Sequence, residues 1–343
     1  MSDPRAIPFS VLDLASIGTK RSATETLRNS RELVVRAEQL GYTRYWLAEH
    51  HNMPGIASSS PPVLIGHLAD ATNRIRIGSG GVMLPNHPPL VVAEQFGLLE
   101  ALHPGRIDLG IGRAPGTDPA TAAALRRAAD PLSVEDFPKQ LNELMRYFDD
   151  VPGAIQAVPA AGNRPPLWLL GSSGYSARAA AALGLPFAFA HHFSAANTLP
   201  ALRLYRENFR PSEALAEPYA MVAAAVICAE DAAHARWIAG PGGLSFLRLR
   251  QGKPGQLPTP EEAAAYPYTD VEASFVADRL NSQVIGDLDT VGEGLADLAE
   301  RTMADEMMIT TMVHDPSDRL HSYELLAQLP AFAGARAVTG ASV

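Results

Sequence analysis

The 343-residue chain predicts an α/β fold, a closed (β/α)8 TIM barrel with a long insertion after its seventh strand. Three observations carry that prediction. Eight short apolar runs recur, each followed by a stretch that reads as helix, and this alternation belongs to parallel sheets. The runs are continuous and often β-branched, as strands covered on both faces should be. The length exceeds the roughly 250 residues that such a barrel commonly needs. An open parallel sheet is the rival arrangement, and eightfold repetition favours closure.

The runs read as strands are Ile7–Leu12, Arg44–Ala48, Arg74–Gly78, Arg106–Gly110, Pro166–Leu170, Pro186–Ala190, Tyr219–Ala229 and Glu306–Met312. Ser22 with Glu25 three residues later makes a capping box that opens the first helix. Leu33, Ala37 and Leu40 give it an apolar stripe, and Gly41 is a plausible stop. Pro88–Leu102 carries Val91, Val92, Phe96, Leu98, Leu99 and Leu102 before His103-Pro104-Gly105 ends it. Ser133–Phe148, Ser173–Leu183, Thr198–Phe209, Asp231–Ala239, Thr290–Arg301 and Ser317–Leu329 read as helices in the same way.

Two stretches break the rhythm. Val151–Pro165, rich in Pro, Ala and Gly, reads as a surface excursion. Gly240–Asp287 opens on Gly240-Pro241-Gly242-Gly243 and contains Pro254, Pro258, Pro260 and Pro267. Following a barrel strand, it belongs on the catalytic face, either as a lid loop or as a tolerated surface insertion. A single domain is expected over residues 1–335, with 336–343 a flexible tail.

Composition narrows the function. Hydrophobic residues make up 47% and charged residues 19%, enough for a large core. A net charge of -9 argues against non-specific nucleic-acid binding, which needs clustered positive charge. No apolar run reaches the ~20 residues needed to cross a bilayer. Met1–Arg5 lacks the layout of a secretory signal. A soluble cytoplasmic protein is expected. The sole cysteine, Cys228, lies in an apolar stretch and reads as a buried structural thiol.

In such a barrel the working groups sit where strand ends meet the following loops. Leu167-Trp168-Leu169-Leu170-Gly171-Ser172-Ser173-Gly174-Tyr175-Ser176 is a strand, a small-residue turn and a helix start. The free N–H groups and dipole of such a start favour an anion, although Ser is also an ordinary N-cap. Arg113 follows the fourth strand, next to the fifth, so it can meet this turn and complete a phosphate clamp. Barrels more often place the clamp after strands seven and eight, which makes this a variant. Gly110-x-Gly112-x-x-x-Gly116 is not a dinucleotide fingerprint: its third glycine is late, Pro115 intervenes, and it follows the fourth strand.

His50 and His51 follow strand two, and His191 and His192 follow strand six. Neighbours on an extended chain point apart, and no acidic residue is spaced to help, so no metal is expected. One histidine of each pair should face the pocket, and which one stays open. Gly78-Ser79-Gly80-Gly81 either leaves room for a flat ring against the backbone or is a tight turn.

Taken together, Trp46-Leu47-Ala48-Glu49-His50-His51, Gly81-Val82-Met83-Leu84-Pro85 with His87-Pro88, Gly105–Arg113 and Gly184-Leu185-Pro186 resemble the bacterial luciferase-like flavin monooxygenases, the LLM-class flavin-dependent oxidoreductases. The resemblance runs from Ile7 to about Leu329 and is weakest in Gly240–Asp287. It implies a (β/α)8 barrel that takes reduced FMN (FMNH2) from a separate NAD(P)H:flavin reductase and uses it with O2 on a small organic substrate. It implies that His50 is the catalytic histidine and that Arg113 clamps the FMN phosphate. Ser172, Ser173 and Ser176 match phosphate-turn positions. Gly80 and Gly81 match the segment against the flavin ring, where some members have a cis non-proline peptide. Gly112 stands where true luciferases carry a reactive cysteine, so light emission is not expected. A homodimer is expected, with no membrane or nucleic-acid partner. The alternatives are an F420-dependent oxidoreductase of the same superfamily, a non-catalytic flavin-binding protein on the same fold, and a metal-dependent hydrolase.

Overall fold

The computed structural model describes residues 7–114, 117–126, 136–149 and 155–330. The chain runs β1 (Phe9–Asp13), α1 (Ala23–Leu40), β2 (Arg44–Leu47), α2 (Pro61–Ala69), β3 (Arg76–Ser79), β4 (Val82–Met83) and α3 (Pro89–Leu102). It continues through β5 (Ile107–Gly112), α4 (Pro119–Arg126), α5 (Phe137–Phe148), β6 (Leu167–Gly171), α6 (Gly174–Leu183), β7 (Phe187–Phe189) and α7 (Thr198–Glu207). Then come β8 (Ala220–Cys228), α8 (Ala232–Arg250), α9 (Pro260–Ala264), α10 (Asp270–Asn281), β9 (Val284–Gly286), α11 (Leu288–Thr302), β10 (Glu306–Thr310) and α12 (Pro316–Leu326).

The parallel sheet order β10-β1-β2-β3-β5-β6-β7-β8 closes through a β8–β10 pairing, giving the eight-stranded barrel that the alternation predicts. The short β4 adds to β5, and β9 pairs with the far end of β8. Trp46, Trp168, Leu12, Met221 and Met308 fill the interior, with the two indoles edge to face at 5.1 Å. A packed interior of this kind makes the barrel a core, not a pore.

The bottom of the barrel is a charged layer. Asp108 accepts from Arg44 at 2.9 Å, Arg76 at 2.7 Å and the Trp46 indole at 3.0 Å. Glu306 accepts from Arg44 at 3.1 Å, from Tyr219 at 2.9 Å and from Ser10. Buried carboxylates persist here because each meets a fixed guanidinium and further donors. Cys228 is buried, and loss of hydration pushes its thiol up to about 12.

Several expectations need correction. Gly240-Pro241-Gly242-Gly243 does not break the chain: α8 runs through it to Arg250. Gly243 serves packing, since a Cβ there would lie 2.8 Å from Val276 on α10. The predicted lid loop is therefore mostly helical, with capping boxes at Thr259/Glu262 and Thr269/Glu272 opening α9 and α10. The short helices α2, α4 and α9 and the twelve-residue α10 are absent from the pattern expected from sequence. In the 151–165 stretch, Ala157 and Ala160 are buried, and Ala160 sits where a Cβ on Gly97 of α3 would be. Most boundaries shift by one to three residues: the first strand starts at Phe9, the third covers Arg76–Ser79, and the helix expected at Ser133 is described only from Phe137. Residues 133–135, 151–154, Pro115 and Gly116, and the tail 336–343 lie outside the described residues.

Candidate active site

β2 ends on Leu47, and the residues beyond it alternate as an extended chain dictates. Glu49 is fully buried. Its Oε1 accepts from the Nε2 atoms of His51 and His87, each at 2.8 Å, and its Oε2 accepts from the Met83 backbone N–H at 3.0 Å. Burial alone would raise the Glu49 pKa, but the His87 hydrogen bond and charge, the Met83 N–H and His51 outweigh it and hold the carboxyl below its usual range. The carboxylate therefore pins the end of β2 to the Met83–His87 segment. This corrects the expectation that no acidic partner stands near the histidines. Glu49 is adjacent in sequence, while His87 arrives from 38 residues away, which spacing cannot show. The three ligating atoms lie within 4.8 Å of one another, as a cation site would require. Both oxygens, however, already accept N–H bonds, and a metal would have to displace the two rings' protons.

His50 points the other way. It lines a cavity at the mouth of the barrel, about 1010 Å³ of atom-free space counted to the open rim. Its Nδ1 is buried without a hydrogen-bond partner. Desolvation lowers the imidazole's pKa against the opposing Glu49 charge, so the ring is neutral near pH 7. His192 joins it in the cavity wall, its Nδ1 3.0 Å from the Ala223 carbonyl. That geometry makes Nδ1 the donor, and burial pushes the ring down to about 4. His191 turns away, its Nδ1 2.8 Å from the Thr198 hydroxyl. Each pair thus has one member in the cavity wall.

The cavity floor comes from strand ends, including Leu14, Ala225 and Thr310. Its roof comes from the insertion: Ser245, Phe246 and Leu249 on α8, the Pro254–Leu257 loop, and Arg279 on α10.

On another side of the mouth, β5 ends at Gly112 and α6 begins at Gly174, with β5 and β6 paired as neighbours. Arg113 meets the turn, its guanidinium 4.0 Å above the ring of Tyr175. Among the described residues no carboxylate lies within ion-pair distance of Arg113. Ser172 and Ser173 are exposed, and Ser173 is an N-cap whose hydroxyl makes no capping bond, which leaves the first N–H groups of α6 open. Ser176 is buried, and its Oγ sits 2.4 Å from where a Gly171 Cβ would lie, so it packs the turn from beneath.

The Gly80–Gly81 peptide bond is cis. A Cβ on Gly80 would meet Leu12 at 2.7 Å, and one on Gly81 would meet the Gly110 carbonyl at 2.8 Å. Close approach to the β5 backbone therefore favours glycine at position 81, while at position 80 the Leu12 and Trp46 side chains take up the space. Ser79 assists: its Oγ bridges the Gly110 carbonyl at 2.9 Å and N–H at 3.0 Å.

The model of the family described as luciferase-like monooxygenase matches residues 7–306. The chain belongs to the luciferase-like monooxygenase family. A relative of that name from Escherichia coli (strain K12) is 48% identical over 94% of this chain and 96% of its own length. The N-acetyl-S-alkylcysteine monooxygenase of Bacillus subtilis (strain 168) is 34% identical over 94% and 97%. The crystal structure of apo-MsnO8 superimposes with a TM-score of 0.88 at 39% identity, over 96% of this chain and 99% of that one. Two further solved structures share the fold at lower identity. The oxygenating constituent of 3,6-diketocamphane monooxygenase from Pseudomonas putida, in complex with FMN, has a TM-score of 0.70 at 21% identity, covering 95% and 98%. An F420-dependent secondary alcohol dehydrogenase has 0.65 at 14%, covering 96% and 99%. Family membership makes the chain one of a group of monooxygenases and oxidoreductases.

Proposed function

We propose that this protein is an FMN-dependent monooxygenase that uses reduced flavin and O2 on a small organic substrate, without light emission. The observation carrying the reading is Arg113 seated on Tyr175, beside the open N-terminus of a ten-residue helix. A guanidinium with no carboxylate partner among the described residues, next to free backbone N–H groups and two exposed hydroxyls, fits a phosphate monoester. Arg113 would hold that phosphate as a fork, with Ser172, Ser173 and the first N–H groups of α6 completing the cradle, and Ser176 supporting it.

When bound, the flavin supplies the electrons with which O2 is reduced. The chain's own residues do the rest. Neutral His50, with its free Nδ1, can accept a proton from the substrate side of the cavity or return one. Glu49 fixes the Met83 segment, and with it the Gly80–Gly81 turn, relative to His50. The α8–α10 roof excludes water, which strengthens every charge interaction beneath it.

The relatives' names support this class: one is named for N-acetyl-S-alkylcysteine oxygenation, and one fold neighbour holds FMN. An F420-dependent neighbour keeps F420 as the alternative cofactor, but its longer anionic tail calls for cations beyond Arg113. Delivery of reduced flavin would fall to a separate NAD(P)H:flavin reductase. Exposed Val63 on α2 and Leu98 and Leu102 on α3 support a homodimer, and the cytoplasm is the expected setting. Titration of the protein with FMN, FMNH2, riboflavin and F420, followed by O2 consumption with FMNH2, tests the reading. FMN should bind more tightly than riboflavin or F420, and preference for F420 would overturn it.

A further inference from the structure

Among the described residues lining the His50 cavity, one side chain carries a fixed charge: Arg279. His50 and His192 are neutral there, both rings lowered by desolvation. The chain as a whole carries a net charge of -9, so an unanswered cation in this wall runs against its average.

Two other shielded arginines meet carboxylates. Arg44, 14% exposed, faces Asp108 and Glu306; Arg319, 13% exposed, faces Asp13 at 2.6 Å. No carboxylate among the described residues lies within ion-pair distance of Arg279. Its Nη1 donates to the His192 carbonyl at 2.6 Å, its guanidinium lies 4.4 Å from the Phe246 ring, and its buried Nε has no acceptor. The group is therefore aimed and held, and cannot discharge by losing its proton. Removing such a charge from water is costly unless an anion compensates it.

The remaining wall is chiefly apolar, with Met53, Ile56, Phe193 and Phe246 prominent, and the buried Ser245 hydroxyl also lacks a partner. We propose that Arg279 is a substrate-recognition residue that accepts a singly charged organic anion, a carboxylate or sulfonate, on an otherwise apolar small molecule. The proposal rests on the flavin-monooxygenase reading only for calling that molecule a substrate; the binding itself needs no flavin.

The test is calorimetric titration of 4-phenylbutyrate, 3-phenylpropane-1-sulfonate and uncharged 4-phenylbutanamide into wild type, R279Q and R279K. Each is run with and without oxidised FMN. Wild type should bind at least one of the anions about tenfold or more tightly than the amide, and the tighter one identifies the acid class. R279Q should bring the ratio to near one with FMN affinity unchanged. R279K, which keeps the charge, should retain part of the preference and serves if R279Q misfolds. Equal binding of acid and amide, no binding of any probe at millimolar concentration, or an undiminished preference in R279Q would overturn the proposal. So would loss of FMN affinity in R279Q and R279K, which would make Arg279 a cofactor ligand. Absence of FMN binding in wild type would sink the flavin reading while leaving the flavin-free comparison intact.

Discussion

The Arg113 guanidinium lies 4.0 Å above the ring of Tyr175, so the end of β5 and the first turn of α6 share one contact at the barrel mouth. The aromatic face fixes the cation's plane but leaves its N–H edge free for a ligand. Arg113→Ala should weaken FMN by about 10- to 100-fold, the range expected for losing a charge-assisted hydrogen bond of ~1.5–3 kcal/mol. Riboflavin, which lacks the phosphate, should change little. Equal losses for both in fluorescence titrations would refute the assignment.

His50→Ala should leave FMN affinity within a few fold while lowering turnover by roughly 10²–10⁴, the usual contribution of a positioned acid or base. Paired binding and O2-consumption assays separate the two effects. Loss of flavin binding would instead make His50 a structural ligand.

His192 gives the fold a pH dependence. An unfolded histidine takes a proton near pH 6.5, whereas burial holds this one down to about 4. Between those values the unfolded chain binds more protons, so stability falls as pH drops from about 6.5 to about 4. Above that window the neutral ring carries no penalty. His192→Gln should flatten this part of the melting-temperature profile, and an unchanged profile would show that other groups govern it.

At the bottom of the barrel, Asp108 answers both Arg44 and Arg76. Asp108→Ala would leave two guanidinium groups without that carboxylate, and should cost about 3–5 kcal/mol in denaturant unfolding. A loss under ~1 kcal/mol would mean that Glu306 suffices for Arg44 and the Gly105 and Ile107 carbonyls suffice for Arg76.

Glu49 acts through hydrogen bonds. With His51, His87 and Met83 all donating to it, the purified protein should carry no stoichiometric metal, and dialysis against EDTA should leave its melting temperature unchanged. Glu49→Gln, which has only one acceptor oxygen, should destabilise the fold and reduce turnover together. One bound divalent ion per chain by elemental analysis would overturn this role.

Periodicity and punctuation made the barrel legible before any coordinates, because parallel strands buried on both faces leave continuous apolar runs between capped helices. Ser22 and Glu25 form the capping box their spacing announces, and Gly41 caps α1 with φ at 91°. Short helices such as α9 escaped because a helix of five residues has too few turns to show a stripe. The glycines at 240, 242 and 243 read as a break because sequence cannot separate a turn glycine from one that lets two helices touch.

At the mouth, strand neighbourhood was enough to bring Arg113 towards the serine turn, because adjacent strands of a closed barrel are fixed by chain order. Tyr175 stood inside that turn, and only the fold laid the cation upon it. The Glu49–His87 bond and the unanswered charge of Arg279 were set by packing between segments far apart in the chain. Local chemistry dictates which elements form. Which distant side chains then meet, and which are left without a partner, is decided by how those elements close into a barrel and roof it over.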